Sequence, residues 1–333
     1  MPAFLTHCVF AEQVLASLKT DKLKDIIHGN MPVYYLGAQG PDIFFFYKAK
    51  PWSKYDGIER LGLLMHDNKT AGFFEGSFNY IKDLGKDTHS QQMLKSYLFG
   101  YFCHFCLDST THPFIHYFAG IEDRSGKDRK YLNYHKKIES ILDAYMFSMI
   151  KGMPASRFKA SSLIDMDNND KNILSEYYIY TIKKVYGIKI SPEQSSRALD
   201  EIVSILDLLY DPYHLKYFFY RMFELVFGQK GDITYFITPR TIQGELDFLN
   251  LQKKRWYHPC DHDKSYNSSF LDLYKKAKSK AVRMIEETYD IFSKDDNQAE
   301  IKEMFNDLSY STGLDCGTHK DLKYFHSIFD DHK

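Results

Sequence analysis

The sequence lacks an excess of either charge. Its 43 Lys and Arg face 44 Asp and Glu, for a net charge of −1. That balance excludes a broad electrostatic grip on duplex nucleic acid or on an anionic membrane and leaves room only for a local patch. A bilayer-spanning run is also missing. The longest apolar stretch, Ser96–Leu107, is bracketed by Lys95 and Asp108 and covers about 12 residues, where a span needs about 20. The opening Met-Pro-Ala-Phe-Leu-Thr-His has no basic start and no separate apolar core, so no secretion signal is read and a cytoplasmic location is expected. The cysteines, Cys8, Cys103, Cys106, Cys260 and Cys316, are odd in number, which reads as free thiols in a reducing compartment. Cys103-x2-Cys106 has no second CxxC to complete a knuckle and reads as buried packing. Repeats, low-complexity tracts and a long Gly/Pro/Ser tether are absent. Two-residue alternation is nearly absent too, with Asp232–Ile237 the only weak strand candidate.

What is present is apolar material of helical period. The chain of 333 residues is 44% hydrophobic and carries 26 Phe and 26 Tyr, ample for a bulky aromatic core. Apolar positions recur at three-to-four spacing from Ala11 to Ile27. Thr88 is placed to cap a long helix running toward Leu107. Ser191-Pro192 opens a helix from Glu193 to Leu209, and Asp211-Pro212 ends it before another from His214 to Phe227. Ser268 or Asn267 is placed to cap Phe270–Phe292. Irregular loops are expected at Gly37–Lys54 and Tyr257–Ser265, and breaks between helices at Gly152–Pro154 and Asp165–Asp170. The expected fold is all-α: one large multi-helix domain over 1–333, with a core over 1–150 and a helical extension over 151–333. Nothing in the sequence sets the oligomeric state.

The 14 histidines are unevenly spread. His104-x3-Asp108-x3-His112, with His116 four further on, stacks imidazole and carboxylate along one helix face, since four residues return to within about 40°. Aromatic neighbours from Phe102 to Phe118 point to burial, and a buried Asp among histidines calls for a cation. Nitrogen and oxygen donors in this pattern suit zinc. The expectation is that this helix ends near His112-Pro113. His135-x3-Glu139 is a second i, i+4 pair, with Asp143 one turn later; alone it reads as an exposed pair on a charged helix. Gly40-Pro41-Asp42 presents a carboxylate from a rigid turn ahead of Phe44, Phe45, Phe46 and Tyr47. His66-Asp67 and His7 are weak signals singly. Together His7, Asp42, His66, His104, Asp108, His112, His135 and Glu139 supply enough ligands for two or three metal ions, an arrangement that binds phosphate and activates water.

This order of residues resembles the zinc-dependent phospholipase C family, which shares its all-helical fold with the fungal single-strand nucleases. The resemblance covers roughly the first 150 residues. The opening residues and the run Leu36-Gly-Ala-Gln-Gly-Pro-Asp42 are most similar to a non-secreted, Firmicutes-type branch. It implies that His7 is the early ligand, Asp42 the loop Asp and His66 the His after it. His104 and Asp108 match the family's His-x3-Asp, with Asp108 bridging two zincs, and His135 and Glu139 match its His-x3-Glu. His112 takes the remaining His position, with His116 in reserve. Secreted members hold one zinc through a mature N-terminal Trp; here the count is two to three zincs, with His7 serving a binuclear site or the Pro2 amine substituting.

The activity implied is hydrolysis of a phosphodiester by metal-activated water, with Asp42 as general base and a small phosphoester or phospholipid head group as substrate. Phe44, Phe45 and Tyr47 are the expected pocket wall, suited to cation–π contact. Three alternatives stay open: an HD-type phosphohydrolase using His66-Asp67, a nuclease on the same scaffold, and a non-enzymatic zinc-binding protein. The lack of cysteine among the ligands favours an open, catalytic site over a closed structural one. Trp256–Asp263, rich in ligand types, reads as a surface loop.

Overall fold

The computed structural model describes residues 4–50, 53–86, 88–121, 130–227, 234–239, 246–294, 304–318 and 321–330. The architecture is all-α, with a single two-stranded hairpin among the described residues. Helix α1 spans Phe4–Leu15, α2 Asp21–His28, α3 Met31–Gly37 and α4 Ile43–Phe46, the last preceded by a 3-10 turn at Gly40–Asp42. The expected continuous helix over Ala11–Ile27 is broken at 16–20. The carboxylate of Glu286, far along the chain, accepts from the amides of Lys19 and Thr20 and from the Thr20 hydroxyl, which stabilises the turn. The expected loop at Gly37–Lys54 also proves partly helical.

Next come α5 (Leu61–Asp67), α6 (Thr70–Asp83) and α7 (His89–Ala119). Thr88 caps α7 by accepting from the Gln91 amide at 3.3 Å. At 31 residues, or ~46 Å, α7 is the axis of the molecule. It crosses α3 at backbone contact, because a Cβ at Gly100 would sit 2.1 Å from the Tyr34 carbonyl and one at Gly37 would sit 2.1 Å from the Tyr97 carbonyl. Contrary to expectation, α7 runs through Pro113 to Ala119. Proline leaves the carbonyl of residue i−4, here Ser109, without its helical donor. Gly313 is laid against that carbonyl: its φ is +65°, and a Cβ there would lie 2.2 Å from the Ser109 oxygen. The C-terminal segment is therefore seated at the break.

Helix α8 (Lys130–Lys151) lies beside α1 and α7, followed by α9 (Asn168–Tyr186), α10 (Pro192–Leu209) and α11 (Leu215–Phe227). The expected breaks prove to be helix punctuation: Gly152 follows α8 at φ +68°, and Asp167 caps α9. Ser191 and Gln194 form a capping box on α10, and Ser269 with Asp272 forms one on α12 (Phe270–Phe292), one residue past the cap expected there. The expected loop at Tyr257–Ser265 is instead a hairpin, β1 (Trp256–His258) against β2 (Asp261–Tyr266). Of the strand expected at Asp232–Ile237, Thr234–Phe236 is a 3-10 turn, and 232–233 lie outside the described residues. Helix α12 packs on α7, with Lys280 over the Phe105 ring at 4.4 Å and on the Ser109 hydroxyl at 3.3 Å. Among the described residues no helix is long and apolar enough to cross a membrane. All five cysteines are free.

Candidate metal centre

Four helices and one turn bring the eight expected ligands together. From α7, His104, Asp108 and His112 project on one face at i, i+4 and i+8. Asp108 stands at the middle. Its Oδ1 lies 3.2 Å from His7 Nε2 of α1, while its Oδ2 lies 3.2 Å from His104 Nε2 and 3.5 Å from His112 Nδ1. His7 and His104 stack with ring centres 4.5 Å apart. On one side, Asp42 closes the 3-10 turn with Oδ1 3.1 Å from His66 Nε2 of α5. On the other, Glu139 of α8 places Oε1 3.0 Å from His135 Nε2 and 3.4 Å from His112 Nε2. The donors fall into three groups: His7, His104 and Asp108; Asp42, His66 and His104; and His112, His135 and Glu139. Within each, the ligand atoms lie within 4.8 Å of one another. His104 belongs to two groups, and Asp108 adjoins the third through His112. His116 packs on His135 at 4.8 Å and on His112 at 5.9 Å, behind the third group. Pro2 lies outside the described residues.

Backbone carbonyls orient the rings. Nδ1–H of His66 donates to the Gly62 carbonyl at 2.6 Å, that of His104 to Ala38 at 3.2 Å and that of His112 to Tyr310 at 3.1 Å. A ring held this way presents Nε2, the arrangement usual for metal-ligating histidine. Gly40 makes room for His104. Its φ is +53°, and a Cβ there would lie 2.2 Å from His104 Cδ2. Asp143 secures the start of α1, accepting from the amides of Leu5 at 3.2 Å and Thr6 at 2.5 Å, and so fixes His7 just beyond.

The electrostatics are those of a site short of positive charge. Burial alone would raise the Asp108 carboxyl, but the positive charge of His112 holds it far below the carboxylate range. Burial would lower His112, yet Asp108 and Glu139 lift it to about 9. Burial opposes ionisation of Asp42 as well, and the hydrogen bond from His66 outweighs it, holding the carboxyl at about 2. Burial pushes His104 down to about 3, which keeps it neutral and available as a ligand. His7 Nδ1 and His104 Nε2 are buried without a hydrogen-bond partner. Buried carboxylates, the neutral His104 imidazole and orphaned ring nitrogens are what a divalent cation would satisfy, and the all-nitrogen and oxygen donor set fits zinc.

Beside the centre is a cavity of about 720 Å³, with apolar walls that include Phe4, Leu5, Phe45 and Tyr47, and with Lys136 and Asp143 among its polar groups. Its lining includes none of the eight ligands. Phe45 forms the partition, lining the cavity and packing on the His66 ring at 5.3 Å. The expected aromatic wall is corrected at Phe44, which turns into the core edge-on to Tyr178 and does not line the cavity. Tyr47 lines it, but its ring already carries the Arg197 guanidinium at 5.7 Å and its hydroxyl donates to Asp56 at 2.8 Å. Asp67, needed by the HD-type alternative, accepts from the Ser309 hydroxyl at 2.7 Å and joins none of the three groups.

The sequence placed Asp143 one turn beyond His135-x3-Glu139 on the same face and gave it no role. The Tyr310 carbonyl was missed, being a backbone group almost 200 residues from His112. The hairpin has a supporting role: His258 Nε2–H donates to the Thr312 carbonyl at 3.0 Å, beside Tyr310.

No curated protein and no solved structure matches the chain. A family model does, over residues 6–191, which takes in all eight expected ligands, and its description is zinc-dependent phospholipase C. On that match, and with a donor set suited to zinc, the chain belongs to the zinc-dependent phospholipase C family.

Proposed function

We propose that this protein is a zinc-dependent phosphodiesterase acting on a phospholipid or a small phosphodiester. The observation that carries the reading is the unbroken line of donor atoms from Asp42 to Glu139, centred on Asp108, beside an apolar cavity. His7 and Asp108 would hold one zinc, Asp42, His66 and His104 a second, and His112, His135 and Glu139 a third. Zinc, when bound, supplies positive charge to phosphate oxygens and acidity to water.

The chain's own residues do the rest. Asp108, with its two oxygens turned to different imidazoles, fixes the spacing between positions. Asp42 is the most exposed of the three carboxylates, at 13% against 5% and 3%. Ionised throughout the working pH range, it can accept a hydrogen bond from the attacking water and orient it, and this is the sense in which it serves as base. The cavity walls exclude water from an apolar substituent of the diester. Five free thiols agree with a reducing, cytoplasmic setting.

The test is elemental analysis of the purified protein with the His104→Ala and Glu139→Ala variants, together with hydrolysis of a nitrophenyl phosphodiester and a phosphocholine ester. Two to three zincs per chain, reduced in both variants along with turnover, is the expected result. A metal-free protein, or turnover indifferent to both substitutions, would remove the reading.

A further inference from the structure

Helix α11 is inverted. Leu215, Phe218, Phe219, Met222, Leu225 and Val226 recur at i, i+3, i+4, i+7, i+10 and i+11, one continuous stripe. A stripe of this kind ordinarily faces a core. Here all six side chains are 48–74% exposed, and of residues 215–226 only Glu224 is buried. Its charged carboxylate points inward, with Glu224 accepting from the Thr234 amide at 2.8 Å and hydroxyl at 2.7 Å. Asp211 accepts from the Tyr217 amide at 2.7 Å, and Lys216 donates to the end carbonyls of α10 at 3.3 and 2.9 Å. The helix is thus pinned by its polar side, with its apolar stripe outward.

The opposite, inner side of α11 adjoins the cavity. Tyr220, on the inner side of α11, is one of the cavity's lining residues, and so are the exposed Leu208 at the end of α10 and Tyr55. A contiguous apolar face of this kind marks an interaction surface.

We infer that the α11 stripe is a lipid-docking face, which lies in the headgroup boundary of a bilayer and holds the neighbouring cavity close to the lipid. The inference rests on the proposed function for what the cavity then receives, a phospholipid rather than a soluble diester. Area argues against a second copy as the occupant. Thirteen residues make a helix about 20 Å long, and half of a cylinder about 11 Å across is about 350 Å², against about 800 Å² per partner in a stable interface. A bilayer sets no such minimum, and insertion of an apolar face to the depth of one helix is how interfacial helices bind. With a net charge of −1, attachment is apolar, so zwitterionic vesicles suffice and salt has little effect.

The test is flotation of the zinc-loaded full chain with vesicles of phosphatidylcholine, alone or mixed with phosphatidylglycerol, at low and high salt. The variants are Phe219→Asp with Val226→Asp and, as a milder pair, Leu215→Ser with Phe218→Ser. Soluble nitrophenyl phosphodiester hydrolysis and light scattering run in parallel. The expected result is wild-type binding to both vesicles, at least a tenfold loss of partition in both pairs, and unchanged hydrolysis of the soluble diester. Wild type that stays off both vesicles overturns the docking face, whatever its hydrolysis. So does a dimer that the variants dissolve while neither form meets lipid. Vesicle binding lost in the variants, with no soluble hydrolysis by any form, upholds the face and removes the phosphodiesterase reading alone.

Discussion

Helices α7 and α11 break the same rule in opposite directions. In α7, His104 and Asp108 are turned into the interior with exposures of 0% and 4%, among aromatic rings. In α11, Phe219 and Val226 are turned out with exposures of 69% and 74%. A buried ion and an exposed apolar stripe are both costly alone. Each helix is held by the groups on its ordinary side: α7 by the aromatic core around Phe74, Phe102 and Phe105, and α11 by Glu224, Lys216 and Asp211. The irregular side is what remains available to something outside the chain, a cation in one case and an apolar surface in the other. A helix that violates its own pattern while its other side is well satisfied points to a missing partner, and the sign of the violation identifies the partner's chemistry.

The largest expected effect separates the two helices. Asp108→Asn keeps the shape of the central ligand and removes its charge. Hydrolysis of a soluble phosphodiester should fall on the order of a thousandfold, or ~4 kcal/mol of barrier, with loss of at least one zinc per chain. Val226→Ser on α11 should leave both readings within about twofold, since it touches none of the cluster. Equal rates and equal zinc in Asp108→Asn and wild type would mean that α7 buries its carboxylate for another reason.

A smaller effect is expected one step back from the ligands. In Gly40→Ala the new methyl meets His104 Cδ2, and the backbone must hold φ +53° with a side chain present. The His104 ring is displaced, not deleted. Zinc affinity, read by competition with a chromophoric chelator, should weaken about 10–100-fold, as for other changes to the groups that orient a ligand, with helical content by circular dichroism unchanged. Affinity equal to wild type would show that the turn does not set the ring.

These contrasts also mark what could be read from the sequence. His104-x3-Asp108 and His135-x3-Glu139 are local: four residues along a helix determine that the donors share a face, whatever the rest of the chain does. The caps at Thr88 and Ser191 are local as well, each hydroxyl bonding an amide three residues on. The break at 16–20 was not legible, because the carboxylate that receives its amides belongs to Glu286. Passage of α7 through Pro113 was not legible either, because the backbone laid on the freed Ser109 carbonyl belongs to Gly313. Nor was the direction of α11. Period 3.6 shows that a helix has an apolar stripe and leaves open which way the stripe turns; that depends on Glu224 finding Thr234 and Tyr217 finding Asp211. Phe44 and Phe45 illustrate the limit most sharply. They are adjacent in sequence and alike in chemistry, yet on a short helix one faces the core and the other the cavity.

The smallest effect carries the comparison to its end. Phe74→Ala and Phe219→Ser each remove a phenyl ring. Phe74 is wholly buried and meets Tyr101, Phe102, Phe105 and Phe305 with ring centres 5.1–5.9 Å apart. Its loss should cost about 3–5 kcal/mol, the transfer energy plus the cavity left behind. Phe219, mostly in water already, should change unfolding free energy by no more than about 0.5 kcal/mol. Urea unfolding of the zinc-loaded protein measures both on one scale. If Phe219→Ser is as destabilising as Phe74→Ala, the α11 stripe is covered by another part of this chain. The two helices would then differ only in which partner the chain already contains: for α11 an apolar one, for α7 none. A near-zero value leaves both helices waiting on something external.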